Sequence, residues 1–218
     1  MNPSDSRTLV ARIRSAIGPN WGLFALVVAT VVGFINVARP RNQLHYIIFS
    51  GGAESLWRGV TPYGNDFGTG LGWYIYSPSC GLFFYGLFSW MPFGLGLFLY
   101  MAVSIPIFLY GLKSFLEACV PSYRDQFHSN SWLQWMPVGN FPEANRRDFN
   151  LFWFWASYCV LGCLTADKLE LIIVGVTLFN LSLMIRNKHI WLAAFLWAMM
   201  TNWKLQPLPL VGLISIVL

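Results

Sequence analysis

Apolar residues in this chain run in blocks of helix length separated by polar breaks, and roughly 20 such residues are needed to cross a bilayer. Residues 1–20 are polar and carry Arg7, Arg12 and Arg14 ahead of an uncharged run over 21–38. A basic segment followed by an apolar run with no small-residue cleavage site predicts a signal anchor with a cytoplasmic N-terminus. Residues 39–70 form a polar stretch expected on the outer side. Within it Leu44, Ile47, Ile48, Leu56 and Trp57 suggest an interfacial helix broken near Gly51-Gly52.

The block over 71–112 is too long for one span, and Met91-Pro92-Phe93-Gly94 splits it into a predicted helical hairpin. Residues 113–150 are expected to be an extramembrane loop, where Lys113, Arg124, Arg146 and Arg147 are balanced by Glu117, Asp125, Glu143 and Asp148. Shorter spans follow over 151–164, 169–185 and 190–200. After a break at Lys204-Leu205-Gln206-Pro207, a seventh begins at Leu208 and is still apolar at Leu218, so the chain is expected to continue. The expected fold is all-α, a polytopic transmembrane helical bundle of about seven spans over 21–218. Its topology carries a conflict. Five spans from a cytoplasmic N-terminus put Arg186-Asn187-Lys188-His189 outside, where the positive-inside rule does not want it.

Composition strengthens this reading. Hydrophobic residues make up 56% of the chain and charged ones 11%, with a mean hydropathy of +0.53, more apolar than a water-exposed surface tolerates. The 17% of aromatic residues, with 11 Trp, fits interfacial belts, among them Phe152-Trp153-Phe154-Trp155. A net charge of +5 is scattered between apolar runs, which argues against a nucleic-acid partner. Cys80, Cys119, Cys159 and Cys163 have neither C-x-x-C pairing nor a histidine at ligand spacing, so neither a metal nor a disulfide is expected. No nucleotide-binding loop appears, and no cofactor is expected.

Three motifs carry a resemblance. Ala53-Glu54-Ser55-Leu56-Trp57-Arg58-Gly59 leads into Thr61-Pro62-Tyr63; Tyr76-Ser77-Pro78 precedes Leu82-Phe83-Phe84 and Trp90-Met91-Pro92; Asp167-Lys168-Leu169-Glu170, the basic turn at 186–189 and Lys204-x-x-Pro207 alternate with spans. In order and spacing these resemble family 87 of the polyprenol-phosphate-dependent glycosyltransferases. The resemblance implies a GT-C fold in a multi-pass protein of the bacterial plasma membrane. It further implies a polyprenyl-phosphate sugar donor, a lipid or glycan acceptor, and transfer of a hexose such as mannose.

Inverting transfer needs a base for the acceptor hydroxyl and a cation for the departing phosphate. The family places an Asp soon after the first span, whereas Arg41-Asn42-Gln43-Leu44-His45 contains no carboxylate. The candidate bases are therefore His45, whose unperturbed pKa lies near 6.5, and Asp66 in the turn-forming Gly64-Asn65-Asp66-Phe67-Gly68. A capping contact and an ordinary turn residue are the simpler roles for these two. Lys204 at the edge of two apolar runs, Arg58 and Tyr63 are the candidates for the donor phosphate, against plain snorkelling for Lys204. The missing Asp and the early end also fit a catalytically inactive or fragmentary relative. A non-enzymatic scaffold or transporter is the rival from another class, although the spans carry almost no charge and show no repeat.

Overall fold

A computed structural model describes residues 21–67, 74, 76–120, 143–166 and 168–203, and among them it is all-helical. Helix α1, Trp21–Val37, stops where Pro40 removes a backbone donor. A 3₁₀ turn, Pro40–Asn42, follows. There the Asn42 amide donates to the Asn36 carbonyl at 2.8 Å and the Gln43 amide to the Val37 carbonyl at 2.9 Å. These side chains satisfy carbonyls that every helix C-terminus leaves without an intrahelical partner.

Helix α2, Leu44–Trp57, runs unbroken through Gly51 and Gly52, contrary to the expected interruption. The glycines serve packing here: a side chain at Gly51 would meet the Phe67 ring and one at Gly52 the Tyr74 ring. Helix α3, Pro78–Phe84, has 7 residues and runs on into a 5-residue π turn, Tyr85–Ser89. Pro92 then caps α4, Phe93–Cys119, so the break expected over residues 91–94 is where the sequence puts it.

Beyond that point the polar loop is shorter than expected. Helix α4 carries on through Lys113 to Cys119, and α5, Glu143–Thr165, begins well before residue 151. Charge does not end α4 because Lys113 and Glu117 pair one turn apart on its surface, at 3.5 Å. Helices α6, Glu170–Ile185, and α7, Ile190–Trp203, match the two apolar runs read from the sequence. The run from Leu208 lies outside the described residues.

The helices pack as two close pairs. In the first, α1 and α5 run parallel: the Gly22 amide donates to Asn150 Oδ1 at 3.0 Å near their starts, and Gly33 faces Leu164 near their ends. In the second, α4 and α6 run parallel, touching backbone to backbone at Gly111 and Gly175. At their C-terminal ends Arg186 donates to the Ser114 carbonyl at 3.0 Å and pairs with Glu117 at 3.1 Å. Tight turns make α5 antiparallel to α6, and α6 antiparallel to α7. In the second turn Asn187 and His189 both take φ of 50°.

These directions sort the helix ends. The starts of α1, α5 and α7 lie with the ends of α4 and α6, and Arg186–His189 therefore shares an end of the bundle with the start of α1. Helices α2 and α3 form an antiparallel hairpin at the opposite end, against the first half of α4. Tyr46 contacts Phe84, Phe93 and Tyr100 there, while Phe49 rests on Phe84 and Tyr76.

Among the described residues one helix, α4, is both long and apolar enough to cross a membrane; α1, α6 and α7 are shorter apolar helices. Inside α4, Pro106 has no N–H to offer, and two residues earlier the Ser104 hydroxyl donates to the Tyr100 carbonyl at 2.7 Å.

Candidate functional site

The α2–α3 hairpin and the described residues between its helices form a cap, and four of the five candidate residues fall in it. His45 sits half-buried in the first turn of α2. Arg58 terminates α2, exposed and ion-paired with Glu54 one turn earlier, because residues at i and i+4 share a helix face. Tyr63 and Asp66 lie beyond it. Thr61 and Asn65 shape this turn: the Asn65 amide donates to the Thr61 carbonyl at 2.9 Å, and Gly64 takes a φ of 81° that L side chains rarely adopt.

Tyr63 is fixed from two directions. Its hydroxyl donates to the Tyr76 carbonyl at 2.9 Å and its ring lies 5.8 Å from that of Tyr74. The Tyr74 hydroxyl in turn donates to the Ser77 carbonyl at 2.8 Å. Burial, reinforced by the neighbouring Cys80 thiol and Tyr63 phenol, pushes the Tyr74 phenol far above its ordinary range, so it is a neutral donor. Asp66 is exposed, one residue before Phe67, whose ring covers Gly51 in the middle of α2. His45 lies about 9 Å further along the helix axis, toward its start. Asp66 is exposed at the end of a turn shaped by Thr61, Gly64 and Asn65.

The end of α7 reaches this cap. Ser79, in the first turn of α3, donates to the Asn202 side chain at 3.0 Å, and the Phe83 and Trp203 rings stand 4.6 Å apart. Lys204, the fifth candidate, lies outside the described residues. The positions that hold no carboxylate, Asn42 and Gln43, are spent on capping α1 and point to no chemistry of their own.

Sequence reading missed two groups. One is the Tyr63–Tyr74–Tyr76 cluster, whose members straddle the boundary between the polar stretch over 39–70 and the apolar block after it and meet through tertiary packing. The other is a set of buried polar atoms in the apolar helices: Thr177 Oγ1, both amide atoms of Asn180, and Trp203 Nε1, which find no hydrogen-bond partner among the described residues. An Asn within the apolar run over 169–185 was signal enough to single that set out. The cysteines show no shared pattern, with Cys80 buried, Cys163 half-buried, and Cys119 and Cys159 exposed. No protein-family model, curated protein or solved structure matches the chain.

Proposed function

We propose that the chain is a multi-pass membrane protein that transfers a hexose from a polyprenyl-phosphate donor to a lipid or glycan acceptor at the α2–α3 cap. In this reading α1, α4, α5, α6 and α7 carry the chain across the bilayer, and the cap lies on the outer face without crossing. Helix α3 and its π turn span roughly 18 Å, against a hydrocarbon core of about 30 Å. The conflict over the basic turn then disappears: Arg186–His189 falls on the cytoplasmic side together with the N-terminal arginines, as the positive-inside rule requires.

The observation that carries the reading is the gathering of Arg58, Tyr63 and Asp66 in one cap, with the end of α7 packed against it. Asp66 is the base that takes the proton from the acceptor hydroxyl, with His45 as the alternative. Arg58 and Lys204 meet the departing phosphate, and Tyr63 holds the turn that presents them. The Tyr74 phenol stays protonated and contributes only its hydrogen bond.

A second reading has one observation in its favour. Arg58 already has its charge met by Glu54, and residues 41–45 contain no carboxylate, which fits an inactive relative or a membrane scaffold.

Two measurements test the proposal. In membranes expressing the full reading frame, transfer from radiolabelled polyprenyl-phosphate mannose is expected to fall at least 100-fold in Asp66→Asn and about tenfold in Lys204→Ala, on the usual scale for removing a base or an electrostatic contact. His45→Ala separates the two bases. A folded wild type that transfers no sugar favours the scaffold. For topology, cysteines introduced at Arg147 and Lys188 should be labelled from the cytoplasmic side, and those at Asp66 and Lys168 from the other; any mixed pattern removes the five-span arrangement.

A further inference from the structure

The α1–α5 pair and the α4–α6 pair leave a groove where they meet. Helices α5 and α6 are joined by a short turn yet hardly pack on each other, because each spends its apolar face on its own partner, α5 on α1 and α6 on α4. The space left is a cavity of about 330 Å³ with an almost wholly apolar wall. Its floor is buried, formed by Phe108 and Leu112 of α4 and Leu171 of α6. One side is a stripe of α5, where Phe152, Ala156, Cys159 and Cys163 recur at helical spacing. Trp155 on α5 and Val174 on α6 are exposed at the rim, so the groove is open along its length.

Size and chemistry narrow what can fill it. Phe152 and Cys163 stand about three turns apart, roughly 16 Å along α5. A water-sized or methylene-sized group takes about 30 Å³, so the groove holds roughly eleven of them in file. Water is a poor occupant, because an ordered water needs about 2–4 polar partners and this wall offers almost none. The one charged residue on the lining is Glu170, in the first turn of α6. Its methylene stem completes the wall. Helical side chains lean toward the start of their helix, so its carboxylate lies toward the α5–α6 turn, at the end of the groove. Lys168, two residues earlier, is exposed beyond it.

We propose that the groove seats one alkyl chain of a lipid whose head group is uncharged and hydroxylated. An apolar trough of this length and volume fits a single chain and leaves any second chain of the same lipid outside. Within a bilayer the apolar fit alone gives little preference, because the surrounding lipid tails are equally apolar. The head group therefore decides the choice. At the end of the groove a hydroxyl donates to the Glu170 carboxylate in a charge-assisted hydrogen bond, whereas a phosphate or carboxylate head would meet like charge there. The inference deepens the proposed function and rests on it for the bilayer around these helices. Of the two acceptor classes it selects the lipid, and it keeps the phosphate-bearing donor out of this groove. In the five-span arrangement the α5–α6 turn lies on the outer side, so the lipid hydroxyl is presented on the same side as the cap.

The cysteines supply the readout, since Cys159 lines the groove and is exposed, while Cys119 is exposed outside it. The full chain in phosphatidylcholine nanodiscs is alkylated with a membrane-permeant maleimide, and each site is followed by mass spectrometry. Monolauroylglycerol is expected to slow alkylation of Cys159 several-fold and leave Cys119 unchanged. Dodecyl phosphate, with the same chain and an anionic head, should need about tenfold more for equal protection, the scale of one charge contact. Glu170→Gln keeps the side-chain volume and should make the two probes equal. Ala156→Phe fills the groove; it should abolish protection by either probe and unfold at a temperature no lower than wild type. Unchanged alkylation of Cys159 at saturating monolauroylglycerol overturns the proposal, as does equal protection of Cys119. Discrimination that survives Glu170→Gln overturns the choice of head group and the proposal with it. Sugar transfer to a lipid that continues undiminished in Ala156→Phe overturns the seat and leaves the proposed function standing; protection of Cys159 without any sugar transfer does the reverse.

Discussion

Helix α4 is held along its second half by α6 and along its first half by the α2–α3 cap, and the two contacts work by different means. At α6 the backbones touch: a side chain on Gly175 would lie 2.7 Å from the Ile107 carbonyl oxygen, and Gly111 faces Gly175 directly. Bare backbone allows parallel helices to approach closely, a mode favoured in lipid, where apolar burial gives little net attraction between helices. At the cap the contact is made by rings. Tyr46, Phe84, Phe88 and Tyr100 interlock with centroids 5.0 to 5.9 Å apart, and the Tyr46 hydroxyl reaches the Phe88 carbonyl at 3.5 Å. Rings bury large areas, so this contact draws on apolar burial and ring packing instead of close backbone approach. One helix thus carries two kinds of packing.

The largest expected effect is at the cap. Phe84→Ala removes a fully buried ring and should cost about 3–5 kcal/mol, seen as faster hydrogen exchange in α2 and α3 while α6 stays protected. Equal loss of protection in both regions would break the contrast. Gly111→Ala forces a methyl group into the α6 backbone and should cost about 1–3 kcal/mol, with the protection pattern reversed.

A pH titration sharpens the comparison further. Burial pushes the Tyr46 phenol up to about 12, so its neutral form is the one the cap accommodates. A raised value means that this stabilisation is whole below about pH 10, the unfolded value, and is lost as pH rises through about 12. Tyrosinate absorbance should therefore appear together with loosening of α2 while α6 remains folded; titration at the ordinary value would show that the Tyr46 hydroxyl is open to water. The smallest effect is expected from Arg186→Gln, which leaves Glu117 paired only with Lys113 and should cost about 1 kcal/mol, since the pair is partly exposed. Thermal unfolding with and without high salt checks it, because salt should shrink the difference.

Much of this arrangement was legible in the sequence, and the failures have identifiable causes. Pro92 and the 186–189 turn announced their breaks because Pro and clustered polar residues have no substitute inside an apolar helix. Gly51-Gly52 misled because helix propensity charges each glycine about 1 kcal/mol, while the rings of Phe67 and Tyr74 that occupy the freed space come from outside the local window. The charged end of α4 read as loop because Glu117 is met by Lys113 one turn earlier and also by Arg186, which is far away in the chain. At the site, Arg58, Tyr63 and Asp66 fall in one segment because they are close in sequence. Residue type gave no sign that Asn42 and Gln43 act as caps, since that requires knowing where α1 stops.

Pro106 stands where the two halves of α4 meet. Before it come Gly96, Tyr100 and the residues gripped by the cap; after it come Phe108, Gly111 and the residues gripped by α6. With one rung of the helix ladder missing there, bending stiffness is lowest at the joint between the two grips. The cap is therefore mounted as if on a flexure: load applied at its aromatic core tilts the first half of α4 and is taken up at Pro106 before it reaches the glycine contact with α6.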